Sequence, residues 1–118
     1  MAINLLFVDD EEDLRKIMSE ALSLHGFAVT TASDGHEALA ELRGPTRYAV
    51  VLTDVSMPGD ISGLQVAAEA TALQPHARVL VLSGLQRSQL PPIPPSVEYV
   101  SKPYRLSNLV EFIHKQLG

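Results

Sequence analysis

The chain contains no cysteine. Disulfides and thiolate chemistry are therefore excluded, and the redox state of its compartment leaves no mark on the sequence. Basic residues are also scarce: nine Lys and Arg stand against fourteen Asp and Glu, for a formal net charge of −5. No basic stripe is available to neutralise phosphates, which argues against direct nucleic-acid binding. The N-terminus lacks a basic segment followed by a long apolar run, so no signal peptide is read. No apolar run reaches the length that spans a bilayer. The expectation is a cytoplasmic domain with no membrane contact. Neither a repeat nor a linker divides the 118 residues, which are enough to bury a core, so one domain over 1–118 is expected. The four histidines, His25, His36, His76 and His114, lack metal-ligand spacing and are expected on the surface.

What is present alternates between short apolar runs and helical periodicity. Ile3 to Val8 reads as a buried strand. Leu14, Ile17, Met18, Ala21 and Leu22 then follow one helix face, and Gly26 stands where that helix should stop. A second strand covers Ala28 to Thr31. Asp34-Gly35 turns the chain into a short helix carrying Ala38, Leu39 and Leu42, which Gly44-Pro45 ends. Ala49 to Leu52 is a third strand, followed by Asp54. An Ala-rich helix runs from about Leu64 to Leu73, its small face suited to close packing. Val79 to Leu82 and Val97 to Val100 are the fourth and fifth strands, and Leu106, Leu109, Val110, Ile113 and Leu117 mark a last amphipathic helix. Met18 and Met57 read as packing residues.

Strands alternating with helices imply βαβ units and an α/β fold with a mostly parallel sheet. Five strands at this length fit the flavodoxin-like, doubly wound order 2-1-3-4-5. One segment breaks the pattern. Where a fourth helix is due, the chain supplies "LQRSQLPPIPPS", with prolines at 91, 92, 94 and 95. Proline removes a helix hydrogen bond and clashes with the preceding turn. At most one short turn around Gln86 to Leu90 is expected, with the rest extended.

In such a sheet, ligands bind outside the carboxyl ends of the strands, at the switch point. Strand one ends in Asp9 and Asp10, strand three in Asp54, strand four in Ser83, and strand five in Ser101-Lys102-Pro103. Three carboxylates, a hydroxyl and an ammonium therefore converge on one crevice. The carboxylates repel one another, so at least one pKa should rise unless a cation intervenes. Mg²⁺ is the natural one, being hard and oxygen-seeking. Glu11 and Glu12 fit a plainer role, at the positive end of the first helix dipole. A carboxylate beside Mg²⁺ and a lysine is a plausible phosphoryl acceptor.

"VDDEE", "LTDVSMPGDISG", "VLSG" and "EYVSKPY", in this order and at these strand ends, resemble the receiver domain of two-component response regulators, of the chemotaxis-Y-like type, with a loop form familiar from some receivers attached to hybrid kinases. The resemblance covers essentially the whole chain. It implies Asp54 as phosphoacceptor, Asp10 as a direct Mg²⁺ ligand and Asp9 acting mainly through water or its charge. Ser56 would offer its backbone carbonyl to the metal, for which Mn²⁺ could substitute. Ser83 would be the switch hydroxyl, Tyr99 the switch aromatic, and Lys102 the partner of the acyl phosphate, aimed by a cis bond before Pro103. The implied donor is a histidine kinase or a histidine phosphotransfer protein, and the implied output is an unknown downstream protein. Such a domain is a switch that promotes its own phosphorylation and dephosphorylation rather than an enzyme with a separate substrate. Two features depart from the pattern. The loop after Asp54 is one residue longer than the commonest spacing, and the interval from Ser83 to Lys102 is shortened. The output face built on the family's fourth helix is accordingly in doubt.

Blander readings compete. Asp9-Asp10 could be a solvated helix start, Asp54 a turn residue, Ser83-Gly84 a plain turn, Lys102 a surface residue and Tyr99 an ordinary half-buried strand residue. A pseudo-receiver acting as a constitutive adaptor is the alternative function. A Mg²⁺-dependent phosphatase is disfavoured, since Ser56 stands where a second carboxylate is needed. The chain ends one residue after its last helix, so it is read as a stand-alone regulator or as a receiver cut from a longer protein. The "PPIPP" run is read as a stiff connector.

Overall fold

A computed structural model describes residues 2–118. Its elements are β1 (Ile3–Val8), α1 (Glu12–Leu24), β2 (Phe27–Ala32), α2 (Gly35–Arg43), β3 (Val50–Asp54), α3 (Gly63–Leu73), β4 (Arg78–Ser83), a 3-10 turn (Arg87–Gln89), β5 (Val97–Ser101) and α4 (Leu106–Leu117). All strand pairs are parallel, in the order β2-β1-β3-β4-β5. The fold is the flavodoxin-like one the sequence predicts, and α4 is the last helix of that reading.

Continuous apolar strands are buried on both faces in a parallel sheet. All of β3 is buried, and only Arg78 of β4 is exposed. Side chains alternate across the sheet. Leu6, Val8, Val51, Val79 and Val81 pack with α2 and α3 on one face. Leu5, Phe7, Val50, Leu52, Leu80 and Leu82 pack with α1 and α4 on the other. The Ala-rich reading of α3 holds: Gly63, Val66, Ala67 and Ala70 are its buried residues.

Element ends differ from the sequence reading by a residue or two. β2 begins at Phe27, and β3 runs through Thr53 to Asp54. Thr53 is fully buried because its hydroxyl finds a partner in the Asp54 carbonyl at 3.0 Å. Gly26 ends α1 with φ of +91°, a conformation that costs glycine little. The segment after β4 forms only the 3-10 turn, and 91–94 are neither helix nor strand. All four histidines are exposed.

Candidate functional site

The carboxyl ends of β1, β3, β4 and β5 form one rim. Asp9 follows β1 and is 1% exposed, whereas its neighbour Asp10 is exposed. The Asp9 backbone N–H donates to the Ala32 carbonyl at 3.1 Å, extending the β1–β2 ladder by one residue. This turns Asp9 into the crevice. Its Oδ1 accepts the Glu11 N–H at 2.9 Å, and its carbonyl accepts Arg15 Nη1 at 2.8 Å. Asp9 Oδ2 is buried and has no hydrogen-bond partner among the described residues.

Asp54, the last residue of β3, is 8% exposed. Its Oδ1 lies 3.3 Å from Lys102 Nζ and accepts a long bond, 3.4 Å, from the Ser56 N–H. Lys102 Nζ is 4.0 Å from Asp9 Oδ2, so one ammonium stands between two carboxylates. One oxygen from each of Asp9, Asp10 and Asp54 lies within 4.8 Å of the others. Burial pushes the Asp9 pKa up; the charges of Asp54 and Asp10 push the same way, against the Glu11 N–H and Lys102. This is the direction that crowded carboxylates require.

Lys102 is placed by the backbone on both sides. Its N–H donates to the Ser83 carbonyl at 2.7 Å, and the Lys102–Pro103 peptide is cis, as the resemblance implies. Asp54 is placed by glycine: a Cβ on Gly63 would lie 1.7 Å from the Asp54 carbonyl oxygen. Only a bare Cα lets α3 start so close behind the strand.

Ser83 is 2% exposed, and its Oγ accepts the Leu85 N–H at 3.0 Å. The Tyr99 hydroxyl donates to the Leu85 carbonyl. A single residue thus holds both Ser83 and Tyr99. Sequence reasoning brought Asp9, Asp10, Asp54 and Lys102 to one place, and the structure does so. It missed Arg15, Gly63 and Leu85. It also missed Tyr104, whose pKa is raised by burial and then by Asp9 and Asp54, which marks it as a neighbour of the crevice. Of these, Gly63 and Tyr104 left a trace, as the glycine closing "SMPGDISG" and the tyrosine closing "EYVSKPY".

The donor set suits a small hard cation. Three carboxylates share the crevice, and one buried oxygen is without a hydrogen-bond partner among the described residues.

The family model of the response regulator receiver domain matches residues 5–114. The response regulator receiver protein CpdR of Brucella abortus (strain 2308) is 30% identical over 116 residues, covering 96% of this chain and 95% of that protein. The receiver domain of the hybrid histidine kinase CckA superposes with a TM-score of 0.81 at 30% identity, over 98% of this chain and 99% of that one. The response regulator TrrA of Thermotoga maritima, solved with Mg²⁺ and BeF, gives 0.82 at 35% identity, again over 98% and 99%. In its complex with the histidine kinase ThkA, TrrA gives 0.84 at 32% identity over the same shares.

Proposed function

Since the chain belongs to the response regulator receiver family of two-component signalling, we propose that Asp54 accepts a phosphoryl group from a phosphohistidine donor and that residues 1–118 act as one phosphorylation-controlled switch. The observation that carries this is the crevice itself: Asp54 held 3.3 Å from Lys102, beside an Asp9 oxygen that has no hydrogen-bond partner among the described residues.

The Asp54 carboxylate attacks phosphorus. The P–N bond of the donor histidine breaks, its electron pair returns to the imidazole nitrogen, and a mixed acyl phosphate forms on Asp54. Lys102, already within reach of Asp54 Oδ1, neutralises a phosphoryl oxygen. Asp10 at the mouth and Asp54, with the Ser56 carbonyl, would hold Mg²⁺ or Mn²⁺, and Asp9 would act through water or its charge. When bound, the ion supplies positive charge against the phosphoryl oxygens. Ser83 donates its hydroxyl to a third phosphoryl oxygen. Turning to do so costs it the Leu85 N–H bond. The change reaches Tyr99 because Leu85 is also the acceptor of the Tyr99 hydroxyl. Two states that differ in these contacts are what a phosphoryl group can bias. Hydrolysis of the acyl phosphate resets the switch, so no separate substrate turns over.

The donor is a histidine kinase or histidine phosphotransfer protein, a reading supported by the complex that a relative, TrrA, forms with the histidine kinase ThkA. The output is a downstream protein rather than nucleic acid, given the net charge of −5. No helix among the described residues is long and apolar enough to cross a membrane, and we assign the domain to the cytoplasm, where such donors act.

The test is intact mass after incubation with acetyl phosphate, with Mg²⁺ or with chelator, beside Asp54→Asn. A phosphoryl-sized gain only in the wild type with Mg²⁺ is expected. A gain of equal extent in Asp54→Asn, or none under any condition, refutes the proposal.

A further inference from the structure

We infer that Arg15 is a positioning residue for the acidic pair, holding the peptide between Asp9 and Asp10 so that both carboxylates meet Asp54, an inference that rests on the reading of the crevice as a Mg²⁺-dependent phosphoryl acceptor.

Asp10 has no anchor of its own. It is exposed, and no backbone hydrogen bond holds it among the described residues. Yet one of its oxygens lies within 4.8 Å of oxygens from Asp9 and Asp54. Its place is set by its neighbours. A peptide unit is planar, so the Asp9 carbonyl and the Asp10 N–H turn together. Arg15 Nη1 donates to that carbonyl at 2.8 Å. The Arg15 backbone N–H donates to the Glu11 carbonyl at 3.0 Å. One residue thus grips the chain on both sides of Asp10. The rest of Asp9 is fixed independently: its N–H donates to Ala32 at 3.1 Å, and its Oδ1 accepts the Glu11 N–H at 2.9 Å. With these bonds made, Oδ2 alone of the Asp9 polar atoms has no hydrogen-bond partner among the described residues.

Arg15 closes the first turn of α1, after Glu12 and Asp13. The helix dipole favours anions there and disfavours a cation. The bond to Asp9 offsets that cost. The neighbouring Lys16 reaches Glu12, at 3.9 Å, with both side chains largely exposed. Arginine suits the task, since its planar guanidinium offers several donors in a fixed fork. Glu37 is held below the ordinary carboxylate range by its bonds from Ser33 and, less, by the charge of Arg15. Ser33 follows Ala32, so the partners of the Asp9 N–H and C=O belong to one cluster.

The sign of the effect on Mg²⁺ separates positioning from charge. Removing a cation near three carboxylates should tighten Mg²⁺ on electrostatic grounds alone. Losing the hold on the peptide should loosen it, because the ligands must then be ordered as the ion binds. The charges that act on Asp9 are those of Asp54, Lys102 and Asp10, with Arg15 not among them. Loosening therefore dominates.

The experiment is calorimetric titration of the whole chain with Mg²⁺, for wild type, Arg15→Ala, Arg15→Lys and Lys16→Ala. The bond to Asp9 is part-buried, so water can replace the lost donor and the variants fold. Arg15→Ala is expected to bind Mg²⁺ about tenfold more weakly, as when a ligand loses its outer partner. Arg15→Lys keeps the charge and one long donor, and falls between. Lys16→Ala removes the same charge from the next residue, and binds Mg²⁺ no more weakly than wild type. In saturating Mg²⁺, Arg15→Ala takes up phosphoryl from acetyl phosphate within about twofold of the wild-type rate. In chelator, its Glu11 amide hydrogen exchanges faster than in wild type. Mg²⁺ binding by Arg15→Ala as tight as wild type or tighter overturns the inference, as does equal weakening by Lys16→Ala. A wild type that binds no Mg²⁺ sinks the reading of the crevice instead. The exchange in chelator then decides the hold on Asp9: an unchanged Glu11 amide in Arg15→Ala overturns it.

Discussion

Replacing Asp9 by asparagine separates the cost of the crevice from its use. In the metal-free protein the Asp9 carboxylate is buried, its Oδ2 has no hydrogen-bond partner among the described residues, and Asp54 and Asp10 repel it. Its folded pKa lies above the ordinary value of 3.8. The folded state therefore binds the proton more tightly than the unfolded one. Stability from this group is full below 3.8 and is lost as pH rises through the raised value, so at neutral pH ionised Asp9 opposes folding. The Asp9→Asn substitution removes that charge, and its amide can donate to a neighbouring carboxylate. An unsatisfied buried polar group costs about 1–3 kcal/mol, and more if charged. In chelator at pH 7 the variant should thus be more stable by about 1–3 kcal/mol, a rise of roughly 4–5 °C in Tm per kcal/mol for this size. Mg²⁺ at about one hundred times its Kd should stabilise the wild type by about 2.7 kcal/mol, and Asp9→Asn by much less. Thermal melts of both proteins in chelator and in Mg²⁺, from pH 4 to 8, measure all of this. A variant less stable than wild type in chelator, together with an equal Mg²⁺ shift in both, would refute the reasoning.

Lys102→Ala removes the ammonium 3.3 Å from Asp54, and the rate of phosphoryl uptake should fall by about 10²-fold, as when one stabilising donor is lost; the rate of mass gain with acetyl phosphate reads it. Gly63→Ala forces a methyl against the Asp54 carbonyl, so denaturant melts should show a loss of about 1–3 kcal/mol or more. Gln74→Leu breaks two buried bonds, to the Tyr48 N–H and the Leu42 carbonyl, and a part-buried one to the Thr46 carbonyl, and should cost about 1–3 kcal/mol with phosphoryl uptake unchanged. Ser83→Ala should still take up phosphoryl, but hydrogen exchange at the Leu85 amide should no longer respond to it.

The sheet and the crevice were legible because apolar strand runs stop at polar residues. Asp9-Asp10, Asp54, Ser83 and Lys102 each follow such a run, and the strand order 2-1-3-4-5 then brings the run ends together. Proline chemistry likewise foretold the missing fourth helix. The residual errors have physical causes. Strand β3 includes Thr53 and Asp54 because a buried hydroxyl can bond a neighbouring carbonyl, which polarity counting cannot anticipate. Nothing in two adjacent aspartates says which is buried; the backbone bond from Asp9 to Ala32 decides it. Leu85 acts through its N–H and C=O, groups every residue but proline has, so no side-chain pattern marks it. Gln74 reads as a helix-end surface residue until its three partners, 26 to 32 positions away, are seen.

The most direct measurement is the position of the phosphoryl group. Borohydride reduces an aspartyl phosphate to homoserine, so protein treated with acetyl phosphate and Mg²⁺ is reduced, digested and sequenced by mass spectrometry. Homoserine at position 54, absent when chelator replaces Mg²⁺, is the expected result. Homoserine at position 9 or 10, or none at all in protein that has gained the phosphoryl mass, contradicts the assignment of Asp54.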